Sequence, residues 1–152
     1  MEYECLNQLI RVLVVDDYDV VRKALRSLLT SKYGIEVVGE ADNGIEAVDL
    51  VHTLQPDVIL MDLVMPGKNG IDTTREIMRE EPGARVLILT SFNDETQIVA
   101  SMKAGAIGYV LKDASPDELI HAIHGAHMGK VSLPANMLRF VQSDSTIEDA
   151  KG

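Results

Sequence analysis

Residues able to do chemistry together stand at matching places in this sequence. Asp16 and Asp17, with Asp19 just beyond, follow one apolar run; Asp62 follows another; Thr90 and Ser91 close a third, and Lys112 a fourth. Carboxylates crowded within a few ångströms repel unless a proton or a cation comes between them. A hard divalent ion with oxygen ligands relieves such crowding. Magnesium suits a site offering few protein carboxylates, with waters and a phosphate oxygen making up the rest. Lys112 would neutralise charge beside Asp62, and Thr90 could donate a hydrogen bond to a phosphoryl oxygen. A carboxylate so placed can attack phosphorus and form an aspartyl phosphate. Singly, each residue has a plainer reading: an Asp after a strand is commonly a turn former or helix cap, and most lysines are solvated. Their recurrence at several strand ends is what points to a site.

The elements that must position them are legible as alternation. Residues 12–15, 35–38, 58–61, 86–89 and 107–111 are short runs rich in Val, Ile and Leu. Each is nearly continuous, as expected of strands covered on both faces. They recur every roughly 22–28 residues, room for a parallel strand and its crossover helix. Between them lie helical periodicities: Val20, Val21, Ala24, Leu25, Leu28 and Leu29; then Ile45, Val48, Leu50 and Val51; then Ile71, Thr74, Ile77 and Met78. Ile98, Val99, Met102 and Ala106 form a fourth, and Leu119, Ile120, Ile123 and Ala126 a fifth. Asp42-Asn43-Gly44, Lys68-Asn69-Gly70 and Pro82-Gly83 are turn signals, and Ser115-Pro116 reads as a capped helix start. Five βα units with right-handed crossovers give a doubly wound α/β sheet, whose ligands bind beyond the carboxyl ends of the strands.

Composition limits the alternatives. The chain has 152 residues, a formal net charge of −10 and a single cysteine, Cys5. One domain with a short tail is expected, and unaided binding to nucleic acid or an anionic membrane is not. A lone thiol makes no internal disulfide, which fits a reducing cytoplasm. The start resembles no signal peptide, and no apolar run approaches the ~20 residues of a membrane helix.

At these residues the sequence resembles the receiver domain of two-component response regulators. The matching segments are Val12-Leu-Val-Val-Asp16-Asp17, Asp57-Val-Ile-Leu-Met-Asp62-Leu-Val-Met-Pro66-Gly67-Lys-Asn-Gly70, Val86-Leu-Ile-Leu-Thr90-Ser91 and Gly108-Tyr109-Val-Leu-Lys112. Ile35-Glu-Val-Val-Gly39-Glu-Ala, Thr90-Ser-Phe, Ala104-Gly-Ala-Ile-Gly-Tyr-Val-Leu-Lys and Lys130-Val-Ser-Leu-Pro bring it nearest the NarL/FixJ (LuxR-type) branch. The resemblance implies a flavodoxin-like (CheY-like) (βα)5 fold, with strand order 2-1-3-4-5. It implies an N-terminal extension at 1–9, a receiver over 10–128, and a linker or tail over 129–152 leading toward a helix-turn-helix output domain missing here. A chain truncated before that domain is the expectation.

The same resemblance implies Asp62 as phosphoacceptor and Mg2+ as cofactor, bound by Asp16, Asp17, Asp62 and the backbone carbonyl of Val64. Thr90 would move toward the phosphoryl group, Tyr109 would be the ring swinging in behind it, and Lys112 would pair with the phosphate. The implied donor is a sensor histidine kinase, and the implied output is a phosphorylation-dependent homodimer reaching DNA only through the missing domain. Such a module is a switch rather than an enzyme with a separate substrate. Three departures matter. Asp113 stands where many receivers have proline, so a cis bond there is not expected. Val64 and Phe92 are apolar and cannot orient an attacking water, which predicts a long-lived phosphoryl group. Ser91 replaces a commoner alanine, with little effect expected.

Other features carry less. His121, His124 and His127 lie three apart on the last helix, where successive steps drift round the axis and no acid completes a metal shell. Asp16-Asp17-Tyr18-Asp19 lacks the glycine and distal glutamate of a calcium loop. Met61, Met65 and Met78 read as core filling. Two other function classes stay open. A phosphohydrolase would place two acids two apart, as Asp17 and Asp19 are, and would turn over a phosphate ester. A constitutive interaction module would fail to bind beryllofluoride with magnesium. A flavin site is disfavoured by the lack of a Ser/Thr/Gly-rich loop after the first strand.

Overall fold

The computed structural model describes residues 8–134. The helix expected over 135–142, the polar tail after it and Cys5 lie outside those residues. Five strands, β1 (Ile10–Val15), β2 (Ile35–Ala41), β3 (Val58–Met61), β4 (Val86–Thr90) and β5 (Gly108–Leu111), form one sheet in the order 2-1-3-4-5. Every pairing is parallel. The helices are α1 (Asp19–Leu28), α2 (Gly44–Leu54), α3 (Gly70–Glu80), α4 (Glu95–Ala104) and α5 (Pro116–His127). β1 and β2 extend beyond their apolar runs, to the buried Ile10 and Ala41, because their mutual backbone pairing continues there. β5 begins one residue later than its run.

Alternating side chains send each strand's residues to opposite faces. Val12, Val14 and Leu60 face one core with Leu25 of α1, Leu29 just after that helix, and Leu119, Ile120 and Ile123 of α5. Leu13, Val15, Ile59, Met61 and Ile88 face the other, against Ala47 and Val51 of α2, Ile77 of α3 and Ile98 of α4. Burial on both sides explains why these strands read as unbroken apolar runs. Met61 and Met65 are buried in the second core, with Met78 packed against it.

The helical faces are narrower than the periodicity suggests. Val20 and Ile45 are exposed, at 77% and 71%, and Ala24 is exposed as well. Val21, Leu25 and Leu28 carry the inward stripe of α1 instead, at the i, i+4, i+7 spacing that keeps one line facing the sheet. Two of the turn signals resolve into caps: the side chains of Asn43 and Asn69, like those of Ser115 and of Asp94, accept hydrogen bonds from the third backbone N–H beyond them. The Lys112–Asp113 peptide is trans. No helix among the described residues is long and apolar enough to cross a membrane.

After α5 the chain turns back along the sheet. Ser132 bridges Gly108 in parallel, and the Tyr109 N–H donates to the Ser132 carbonyl at 2.8 Å. Residues 130–134 thus lie along the open edge of β5. A side chain at position 108 would block this: a Cβ there would stand 2.9 Å from the Ser132 carbonyl oxygen and 2.8 Å from Leu87 Cδ1. Gly108→Ala is therefore expected to push the segment off the edge and speed amide exchange at Tyr109. An unchanged exchange rate would show that the edge tolerates the methyl.

Candidate functional site

β1 and β3 are neighbours at the centre of the sheet, with Val15 in register with Met61. The residues following them must therefore emerge side by side, and those residues are Asp16, Asp17 and Asp62. One carboxylate oxygen from each lies within 4.8 Å of the others. Asp16 and Asp62 are buried, and so is Thr90 at the end of β4. Lys112, just past β5, reaches in from the side: its Nζ is 2.8 Å from Asp16 Oδ2 and 3.6 Å from Asp62 Oδ1. Sequence reasoning set Lys112 beside Asp62. The ammonium is closer to Asp16 and spans the two acids.

The three carboxylates differ in how they are held. Asp16 Oδ1 accepts from the Tyr18 N–H at 2.9 Å while Oδ2 takes the lysine. Asp62 Oδ1 accepts from the Leu63 N–H at 2.9 Å. Asp17 Oδ1 is buried and has no hydrogen-bond partner among the described residues. A buried carboxylate oxygen left bare is costly, and its natural partner is a cation. Oxygen donors, negative charge and a bare buried lone pair fit a hard divalent ion.

Electrostatics record the crowding. Burial, then the negative charge of Asp16, push the Asp62 carboxyl up to about 6. Lys112 and the Leu63 N–H pull it down, and Asp17 adds a further upward push. For Lys112, burial opposes the charged form, but the Asp16 and Asp62 carboxylates outweigh it and hold the ammonium above the ordinary lysine range.

The loop from Asp62 to α3 admits no side chain at Gly70. Its N–H donates to the Leu63 carbonyl at 2.9 Å, and a Cβ there would lie 2.1 Å from the Asp62 carbonyl oxygen. Val64, on this loop, has an exposed side chain, as does Phe92 beyond β4. Tyr109 is wholly buried and already turned inward, donating its hydroxyl to the Phe92 carbonyl at 2.7 Å. Burial, then the charge of Asp94, raise its phenol far above the ordinary range. The Phe92 N–H faces Thr90 Oγ1 at 3.4 Å, so both sides of the Phe92 backbone meet residues singled out in the sequence.

Asp19 does not join the acids. It opens α1, is largely exposed and pairs with Lys23 and Arg22, so the acid pair of a phosphohydrolase does not form. The three histidines are not drawn together. His121 and His127 are exposed, and His124 Nε2 lies 2.7 Å from the Tyr33 carbonyl. Sequence reasoning missed Arg22, which donates to the Asp16 carbonyl from within α1. Another of its partners, Glu40, lies eighteen positions away on β2, and no local pattern marks that distance.

A parallel sheet in this order with an acidic cluster at its carboxyl edge defines a flavodoxin-like domain of the CheY type. Residues 12–124 match the response regulator receiver domain, and the chain belongs to that family. The transcriptional regulatory protein LiaR of Bacillus subtilis (strain 168) is 43% identical over 129 residues, covering 85% of this chain and 61% of LiaR. The nitrate/nitrite response regulator NarL of Escherichia coli (strain K12) is 38% identical over 122 residues, covering 80% of this chain and 56% of NarL. The crystal structure of a LuxR-family response regulator from Aurantimonas sp. SI85-9A1 superposes with a TM-score of 0.83 at 33% identity, covering 91% of this chain and 99% of that one. The chain thus spans about three-fifths of the length of the curated relatives it matches.

The raised Asp62 pKa carries a sign. Without divalent cations the folded chain keeps a proton that an unfolded Asp, at 3.8, has released. The resulting stabilisation is complete below 3.8 and is lost as pH rises through about 6. Asp62→Asn should therefore exceed the parent in stability by ~3 kcal/mol at neutral pH, the gap closing toward pH ~4. Urea titrations in a chelator check this. A gap independent of pH would mean that neither burial nor the neighbouring acids raise the Asp62 carboxyl.

Proposed function

We propose that this chain is a phosphorylation switch that accepts a phosphoryl group on Asp62 from a sensor histidine kinase. The observation that carries the reading is the convergence of Asp16, Asp17, Asp62 and Lys112, with one buried Asp17 oxygen left bare. Asp16, Asp17 and Asp62, with the Val64 backbone carbonyl, would hold magnesium. When bound, magnesium supplies positive charge that offsets the carboxylates and the phosphoryl oxygens.

The chain's own residues do the rest. A carboxylate oxygen of Asp62 bonds to phosphorus as the P–N bond of the phosphohistidine breaks. The imidazole nitrogen leaves with the electron pair and takes up a proton. Lys112, held between Asp16 and Asp62, stands ready to pair with the transferred group. Its shift from carboxylate to phosphoryl oxygen creates a partner that exists only in the modified state.

Thr90 gives the switch its path. Movement of its hydroxyl toward the phosphoryl group gives up the long contact from the Phe92 N–H, and Phe92 also accepts the Tyr109 hydroxyl. The two side chains would thus report one event through a shared backbone, biasing an existing equilibrium. The output we infer is dimerisation that acts on DNA through a helix-turn-helix domain beyond this receiver, which occupies residues 10–128. Its setting is the cytoplasm.

Incubation with acetyl phosphate and magnesium should label the chain, and Asp62→Ala should abolish the label; persistent labelling would refute the assignment. Neither Val64 nor Phe92 can align a water on the phosphoryl group. Phospho-Asp62 should therefore outlast the seconds scale, and Val64→Asn should shorten its life. Loss of label within seconds in the parent chain would overturn that expectation.

A further inference from the structure

Arg22 touches none of the atoms assigned to cation or phosphate, yet it grips the backbone from which two of them hang. Its Nη1 donates to the Asp16 carbonyl at 2.7 Å. Nε donates to Glu40 Oε1 at 3.2 Å and Nη2 to Asp19 Oδ1 at 3.2 Å. The side chain is only 15% exposed, unlike that of its neighbour Lys23 at 75%. Three separate acceptors, one of them a main-chain carbonyl, exceed what a surface ion pair needs.

The Asp16 carbonyl belongs to the peptide joining Asp16 to Asp17. That unit is planar, so fixing its oxygen fixes the Asp17 nitrogen and the direction in which Asp17 leaves the strand. On the near side, the Asp16 N–H donates to the Ala41 carbonyl at 3.0 Å. Glu40, which anchors Arg22, precedes Ala41 on β2, so one strand end holds both the peptide and its clamp. The side chain of Asp16 is pinned by Tyr18 and Lys112. Among the described residues, Asp17 Oδ1 has no hydrogen-bond partner. The direction of Asp17 therefore rests on the peptide before it.

We propose that Arg22 is a positioning residue that clamps the Asp16–Asp17 peptide and so aims Asp17 at the cation shared with Asp62. This rests on the reading of Asp16, Asp17 and Asp62 as the cation site. Geometry, not charge alone, is the content: a planar guanidinium forks to a carbonyl and two carboxylates at once, while a lysine ammonium is a flexible point charge.

Magnesium chloride titrations followed by backbone amide shifts decide it. Arg22→Met should weaken magnesium binding about tenfold, the usual scale for groups that orient metal ligands. Arg22→Lys should recover little of that loss. Arg26→Met removes another Glu40 partner on α1 that is not bonded to Asp16, and should bind like the parent. Parent-like affinity in Arg22→Met, or full rescue by lysine, would overturn the clamp while leaving the cation site intact. A parent chain showing no magnesium-dependent shift, or one that Asp17→Asn does not reduce, would overturn the cation site and the clamp with it. Should Arg22→Met fail to fold, Arg22→Lys decides alone: weakened binding supports the clamp and parent affinity ends it.

Discussion

Three carboxylates held within a few ångströms of one another are the constraint on which this molecule is organised. Repulsion of this kind disperses acids on a flexible surface, so they stay together only where the backbone forbids escape. Here the backbone is two adjacent central strands whose apolar residues are locked into cores on both faces. Val15 and Met61 are each almost wholly buried, and the acids follow them directly. Hydrophobic burial of β1 and β3 thus holds in place an electrostatic arrangement that would otherwise relax. Burial first, and then the charge of Asp16 that Lys112 only partly offsets, keep the Asp62 carboxyl raised.

Within that crowd the division of labour is uneven. Asp16 is fixed at its N–H, its carbonyl and both side-chain oxygens, by Ala41, Arg22, Tyr18 and Lys112. Asp62 takes a hydrogen bond from the residue after it and lies beside the lysine. Asp17 keeps a bare buried oxygen. A site meant only to be stable would have satisfied that atom. One meant to take up a cation must leave a lone pair available, and must hold its surroundings rigid while doing so.

How much of this was legible in the sequence follows from which interactions are local. The strands announced themselves because burial on two faces leaves continuous apolar runs, and the Ser115 cap because an N-cap is satisfied within three residues; Asn43 and Asn69, legible only as turn residues, cap their helices in the same way. Strand ends then assembled Asp16, Asp17, Asp62, Thr90 and Lys112 through a topological rule. What the sequence concealed was tertiary choice. Val20 and Ile45 look like core residues in a helical pattern, yet the stripe facing the sheet is narrower than the apolar stretch. Lys112 stands nearer Asp16 than Asp62, a matter of side-chain reach that spacing cannot express. Arg22 resembles any arginine of an amphipathic helix until Glu40 and the Asp16 carbonyl are seen around it.

The same logic of shared backbone extends away from the acids. The Lys112 N–H donates to the Thr90 carbonyl at 2.8 Å, so the ends of β4 and β5 are tied together. Tyr109, two residues into β5, sends its hydroxyl to the loop after β4 and its N–H to Ser132 on the returning segment. One residue thereby joins the loop that follows Thr90 to the returning segment after α5. Backbone hydrogen bonds in a sheet do not stretch far before they break, so a small rearrangement at the site is either absorbed or passed on whole. The Ser132 segment pairs with the sheet at one isolated bridge, against four paired positions between β4 and β5. The weaker junction is where such a displacement would be released, and it is the stretch leading out of the domain.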